Sequence, residues 1–127
     1  MIQWLKDVVD HDFEAAYNYL SLRLDVDRAK LAVKALKKTQ ITTRRANDIL
    51  RACGYAPLPL SDPGVHKDLL KSGDTKLSPV LVVSFDRGGD IADGYHRVSL
   101  AYNIDPFSDV PLRVAHVPEL EHGQHGT

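Results

Sequence analysis

One stretch of this chain constrains its fold more than any other: residues 79–85 form an almost unbroken apolar run that contains three valines. β-branched residues favour strands, and an apolar run without polar alternation is typical of a strand buried on both faces. The two glycines within residues 86–90 predict a turn, and residues 91–93 predict the short second strand of a hairpin. Residues 110–117 predict a final strand.

Residues 1–60 show the periodicity of helices. Apolar residues recur at three- and four-residue spacing, which places on one helical face the residues Phe13, Ala16, Tyr17 and Leu20. We predict three helices, near residues 12–22, 26–38 and 43–53. The side chains expected to cap their starts are, in order, Asp10 or Asp12, Asp25, and Thr42 or Thr43. Gly54 stands where a helix-ending glycine is expected.

Three prolines between residues 57 and 63 end this pattern, because proline cannot continue a helix. The apolar residues among them predict a linker that packs against the protein instead of swinging freely. Beyond the linker we predict short helices over residues 65–70 and 94–103, with a loop over residues 105–109 before the final strand.

The predicted fold is therefore of the α+β class. A helical segment, residues 1–60, is expected to pack on a small mixed α/β unit, residues 61–118. Together they would form one compact domain, because 127 residues is the usual size of a single domain. Residues 119–127 are expected to form a flexible tail, since the last seven of them include no apolar residue.

Composition narrows the setting. The single cysteine, Cys53, excludes an intrachain disulfide and favours a reducing, cytoplasmic compartment. No apolar run approaches the ~20 residues of a membrane-spanning helix, and the first ten residues lack the pattern of a secretory signal, so we expect no membrane partner. The histidines lack zinc-ligand spacing and residues 86–90 are too short for a calcium loop, so no metal site is predicted.

The charge is unevenly distributed around a formal net value of −1, which argues against a dedicated nucleic-acid binder. Residues 28–51 hold eight basic residues and one acidic residue, Asp48. This block is either the solvated face of two helices or a surface that meets nucleic acid or an acidic partner protein. Its candidate contact residues are Lys34, Lys37, Lys38, Arg44, Arg45 and Arg51.

The residues best suited to binding or catalysis, residues 93–97, lie where the predicted hairpin meets the following helix. There the first backbone N–H groups of a helix lack internal partners and bind anions readily. Gly94 permits close backbone approach, and the planar fork of Arg97 matches phosphate oxygens. His96 can donate to an oxyanion or move a proton, and Asp93 could cap the helix, accept a proton or hold Mg²⁺. The Tyr95 ring is expected to pack, with a place beside a base or ribose as the alternative.

The sequence Asp93-Gly94-Tyr95-His96-Arg97, after an apolar strand and before a strand that contains residues 111–114, resembles the ParB/sulfiredoxin-like superfamily over residues 62–117. Members of that superfamily use a Gly-x-x-Arg turn at a helix start to grip nucleotide phosphates. The resemblance implies that residues 94–97 bind a nucleotide or phosphorylated small molecule, such as ATP, ADP or CTP with Mg²⁺. It further implies a phosphotransferase or nucleotide hydrolase in which Asp93 and His96 are catalytic.

The turn also departs from its relatives. Sulfiredoxin chemistry requires a cysteine where this chain has Tyr95, and partitioning proteins carry Glu-Arg-Arg where this chain has Tyr95-His96-Arg97. The turn is nearest to that of a free-serine kinase. The alternative is a non-catalytic regulatory or interaction protein that uses the basic block, with residues 39–54 resembling part of a helix-turn-helix. Independently of either hypothesis, Arg97 could instead pair with Asp93 or Asp90, and His96 could be a structural histidine.

Overall fold

The structure, a computed structural model, describes residues 1–118. Within them the chain forms, in order, α1 (Asp10–Leu20), α2 (Val26–Lys38), β1 (Thr42–Arg45), α3 (Ala46–Cys53), α4 (Pro63–Ser72), β2 (Val80–Phe85), β3 (Gly88–Asp93), α5 (Tyr95–Ile104) and β4 (Asp109–His116). The predicted α+β class is confirmed. The predicted tail at residues 119–127 lies outside the described residues.

The four strands form one mixed sheet in the order β1-β4-β2-β3. β2 and β3 are the predicted antiparallel hairpin, β4 runs parallel to β2, and β1 is antiparallel to β4. β2 therefore has a strand on each side, and its first four residues are buried. The prediction of a strand buried on both faces is confirmed.

Helices cover both faces of this sheet. On one face Leu81 and Val83 join a core with residues of α1 and α2. On the other face Val80 and Val82 join a core with residues of α3 and α5. Each core draws on residues before and after residue 60, so the division predicted there does not separate two hydrophobic cores.

The starts of the first and third helices were predicted incorrectly. α1 begins two residues earlier than expected, after Val9, and no side chain caps it, so the Asp10 or Asp12 cap is wrong. α3 begins at Ala46, because residues 42–45 pair with β4 as a strand. Neither Thr42 nor Thr43 caps it, and the strand between α2 and α3 takes the place of a helix-turn-helix turn.

The predicted cap of α2 and the predicted end of α3 are confirmed. Asp25 caps α2 by accepting a hydrogen bond from the Arg28 N–H, and Gly54 ends α3 in the left-handed conformation. The helix predicted at residues 65–70 is longer, because Asp62 caps it and Pro63 occupies its first turn. The predicted helices are thus present, with the largest error at the start of α3.

The linker after α3 lies against α5, as predicted. The Tyr95 hydroxyl donates to the Ala56 carbonyl at 2.6 Å, and the Leu58 N–H donates to Ser99 Oγ at 3.1 Å. Asn103 Nδ2 donates to the Leu58 carbonyl at 2.8 Å. The three α5 residues are spaced four apart, so they lie along one helical face. These bonds hold the linker through its backbone, and the Leu58 side chain packs against the cluster of Val65, Leu77 and Leu100.

None of the helices within residues 1–118 is long and apolar enough to cross a membrane.

Candidate functional site

The junction of β3 and α5 is built on Gly94. Its φ of +111° lies where side-chain-bearing residues are strained, and an added Cβ would stand 2.9 Å from Val80 Cγ2. Gly94 occupies the N-cap position of α5, and no side chain caps the helix. The backbone N–H groups of the first turn of α5 therefore have no side-chain capping partner among the described residues.

Arg97 turns back from α5 towards the protein. Its Nη2 donates to Asp93 Oδ2 at 3.0 Å, to the Pro79 carbonyl at 3.2 Å and to Asp12 Oδ2 at 3.3 Å. The side chain is 16% exposed, and Nε is buried without a hydrogen-bond partner among residues 1–118. The pairing with Asp93 that sequence analysis offered as an alternative is present, whereas Asp90 lies elsewhere.

Asp12 is the residue of this site that sequence analysis missed. It lies on α1, is 5% exposed, and shares Arg97 with Asp93. Burial raises the pKa of Asp93, Arg97 lowers it in part, and the neighbouring Asp12 raises it further. Two carboxyl groups and one guanidinium therefore form a compact acidic cluster behind the turn. Its neighbours Asp10, His11 and Glu14 are also polar, so no pattern in the sequence distinguishes Asp12 from them.

His96 points away from this cluster. Its side chain is 53% exposed, and Nε2 lies 3.6 Å from Asp62 Oδ2, the carboxylate that caps α4. The His96 ring also lies over Gly64, where a Cβ would collide with it. The two predicted catalytic residues, Asp93 and His96, thus have different partners and form separate pairs at the two sides of the turn.

Tyr95 packs, as expected. Its ring lies 4.8 Å from the Tyr55 ring, centroid to centroid, and 6.2 Å from the His96 ring. Its hydroxyl is engaged by the linker. The packed rings fix the first turn of α5, and His96 presents its imidazole at the outer end of the row.

No group of three potential metal ligands occurs within residues 1–118. Asp93, the residue expected near Mg²⁺, faces Arg97 together with Asp12. These residues do not fit a metal-binding cage, so no step is assigned to a metal here.

The basic block is divided by the fold. Lys34 and Lys37 line a groove of about 880 Å³ between α1 and α2, opposite the acidic residues Asp10 and Glu14. Lys38 ends α2, Arg44 and Arg45 lie on the edge strand β1, and Arg51 lies on α3, on the other side of the sheet. The six candidate contact residues therefore do not form one surface.

A second polar cluster lies at the free edge of β3. No motif in the sequence predicts it. Asp90 is 2% exposed and accepts hydrogen bonds from Tyr19 at 2.9 Å and Tyr55 at 2.5 Å. Arg23 Nε lies 3.4 Å from its other oxygen. Burial is the largest of the effects that raise the pKa of both tyrosines, and the nearby Asp90 raises the pKa further. Both hydroxyls therefore remain donors, and the cluster connects α1, β3 and the linker.

Comparisons of this chain with protein-family models, with curated proteins and with solved structures found no match.

Proposed function

We propose that this protein binds the phosphate group of a nucleotide or another phosphorylated small molecule at the Gly94 turn. The observation that carries the proposal is the start of α5, where Gly94 is the N-cap residue and no side chain hydrogen-bonds to the first backbone N–H groups. Backbone N–H groups and the positive end of the helix dipole attract an anion at such a position. The resemblance to ParB-like nucleotide sites is consistent with this role.

Two side chains assist in different ways. Arg97 holds Asp12 and Asp93 behind the turn, so it positions the turn, and its charge is already shared between these two carboxyl groups. His96 is exposed at the turn and would contact the bound phosphate. If the protein is a phosphotransferase or nucleotide hydrolase, His96 is the group available to move a proton at the phosphate.

The test is a calorimetric titration with ATP, ADP, CTP and inorganic phosphate, each with and without Mg²⁺. Arg97→Ala is a poor probe, because it would leave two buried carboxyl groups without their counter-charge. His96→Glu is better, since it places a negative charge at the mouth of an exposed site. We expect it to weaken binding about tenfold or more.

The matched control is His66→Glu, the same substitution at an exposed position of α4. It should leave the affinity unchanged within about twofold. The proposal is wrong if the folded protein binds none of the four ligands, or if the two variants weaken binding equally. Release of phosphate from a bound nucleotide would extend the proposal from binding to catalysis.

The alternative, an interaction protein, is supported by one observation. Within residues 1–118 no salt bridge involves Lys34 or Lys37, so both can meet an acidic partner. Nucleic acid fits this groove poorly, because Asp10 and Glu14 on its other wall would repel phosphates. Salt-sensitive binding of an acidic polypeptide such as polyglutamate, abolished by Lys34→Glu/Lys37→Glu, would favour the alternative over the phosphate site.

A further inference from the structure

A second concave site lies on the opposite side of the molecule from α1 and α2. It is a cleft of about 450 Å³ between α3 and the sheet. Its floor includes Val82 and Val114, and its wall includes Ile49, Ala52 and Cys53. Its volume is in the range of small-molecule sites, which are typically apolar with a few polar groups at fixed positions.

The cleft exists because β1 ends before it covers the whole of β4 and because the β2–β3 hairpin has glycines where it faces α3. β1 pairs with β4 only as far as Leu112, so Val114 lies beyond the last pair and is incompletely covered. At the other end the hairpin carries Gly88 and Gly89 where side chains would project towards α3. A Cβ on Gly89 would stand 3.2 Å from Cys53 Sγ, which shows how closely α3 approaches there.

The mouth of the cleft carries one uncompensated positive charge. Arg44 lines it, and only Nη1 of its guanidinium is bonded, to Thr42 Oγ1 at 3.2 Å and the Thr43 carbonyl at 2.8 Å. Asp48 also lines the cleft, but its carboxylate lies 3.4 Å from Arg51. Nε and Nη2 of Arg44 have no partner among residues 1–118, so they can donate to an anion.

We propose that this cleft binds a small apolar carboxylate, with the hydrocarbon body against Val82 and Val114 and the carboxylate at Arg44. An apolar body suits a floor of valine side chains, and a guanidinium with free N–H groups recognises a carboxylate by paired hydrogen bonds. This site is separate from the Gly94 turn and independent of the function proposed there.

The probe is decanoate, with decanol as the analogue that lacks the charge. Methyl NMR of the intact protein would follow the valine and isoleucine signals of the cleft during titration. Alkylation of Cys53, the single cysteine, by N-ethylmaleimide gives a second readout. Burial raises the pKa of this thiol to about 11, so the uncatalysed reaction is slow enough to time.

We expect decanoate to shift the cleft methyl signals saturably and to slow alkylation. Arg44→Gln should weaken decanoate about tenfold and leave decanol unchanged. Ala52→Leu should abolish binding by filling the cleft from its exposed wall, whereas the control Ala15→Leu, on the exposed face of α1, should not.

The proposal is overturned if decanoate produces no saturable shift below its micelle concentration, or if Ala52→Leu binds it as tightly as the control does. Equal affinity for decanol and decanoate would overturn the role of Arg44. Nucleotide titrations of the same variants should be unchanged, so failure here leaves the Gly94 proposal standing, and the reverse also holds.

Discussion

Gly94 meets two requirements at one position, a positive φ and the absence of a side chain. Gly94→Ala would combine a strained backbone with a Cβ at 3.0 Å or less from Val80 and Arg97. We expect a loss of about 2–3 kcal/mol in the free energy of unfolding, measured by urea denaturation. The control is Gly73→Ala, because Gly73 has a helical φ of −72° and a nearest contact of 3.5 Å.

Gly73→Ala should change stability by less than about 1 kcal/mol in either direction. Equal losses in the two variants would contradict the argument, since they would show that neither the left-handed φ nor the contact with Val80 matters at residue 94.

Asp93 should give the protein a distinct pH dependence. Burial raises its pKa in the folded chain above the ordinary value of an aspartate, so the folded state holds the proton more tightly than the unfolded state does. Its stabilising contribution is complete below that value and is lost as the pH rises through the raised pKa. Asp93→Asn should therefore lose less stability, relative to wild type, at about pH 6 than at about pH 3.

The measurement is the difference in unfolding free energy between wild type and Asp93→Asn across this pH range. The subtraction removes the contribution of carboxyl groups that do not contact Asp93, such as Asp7, whose pKa is lowered by its bond with Arg113. A difference that does not vary with pH, or that varies in the opposite direction, would show that the pKa of Asp93 is not raised.

For single residues, the sequence predicts backbone conformation better than it predicts which side chains are in contact. Gly94 could be assigned from its place between a strand and a helix, because that requirement is local. The engagement of Arg97 by Asp12 could not, since 85 residues separate them and only the packing of α1 on the sheet joins them. The separation of Asp93 from His96 also depends on tertiary packing. Asp93 shares Arg97 with Asp12 of α1, whereas His96 lies beside Asp62 at the start of α4.

Among the elements, β1 and β3 form the two edges of the sheet, and β3 is the longer of these two strands. Edge strands expose unpaired backbone groups and need protection. Tyr19 from α1 and Tyr55 from the linker meet at Asp90 on this strand, with their hydroxyls 3.0 Å apart. The polar cluster thus attaches two elements to the edge.

Tyr55→Phe removes one of these bonds and leaves the ring in place. We expect a loss of about 1–2 kcal/mol, because a hydrogen bond to a buried carboxylate is lost while Tyr19 still donates to Asp90. Tyr102→Phe is the control, since the Tyr102 hydroxyl makes no hydrogen bond with the described residues. If urea denaturation gives equal stabilities for the two variants, the Asp90 cluster is energetically unimportant.

β1 shows why one element escaped sequence analysis. Residues 42–45 are Thr-Thr-Arg-Arg, mostly exposed, and have no buried apolar residue to mark a strand. Their pairing with β4 depends on a partner more than 60 residues away, whereas the helical periodicity of residues 46–53 is visible locally. Extending that periodicity backwards placed the start of α3 three residues too early.

At the scale of the whole molecule, the two sequence regions interlock. The first region supplies β1 to the sheet, and its N-terminal residues extend to the second region, where the Leu5 N–H donates to the Leu77 carbonyl at 2.8 Å. Trp4 forms an isolated parallel bridge with Leu77. Neither region has a complete core without the other.

We therefore expect a single cooperative unfolding transition. Fluorescence of Trp4, the single tryptophan, reports on the junction of the two regions, while far-ultraviolet circular dichroism reports mainly on the helices. The urea midpoints from the two probes should coincide. A fluorescence midpoint clearly below the dichroism midpoint would show that the regions separate before they unfold.

The attachment of the linker to α5 has a consequence for how this chain can vary. Tyr95, Ser99 and Asn103 bond to the linker through the backbone of Ala56 and Leu58, so these three bonds do not depend on which side chains the linker carries there. Substitutions at the exposed residues 56, 57 and 59–61 should be tolerated if the backbone keeps this course, whereas Tyr55 and Leu58 are also held by their side chains. The attachment instead depends on residues along one face of α5, the helix that also begins at the Gly94 turn. Substitutions on that face of α5 should therefore affect both the linker and the turn.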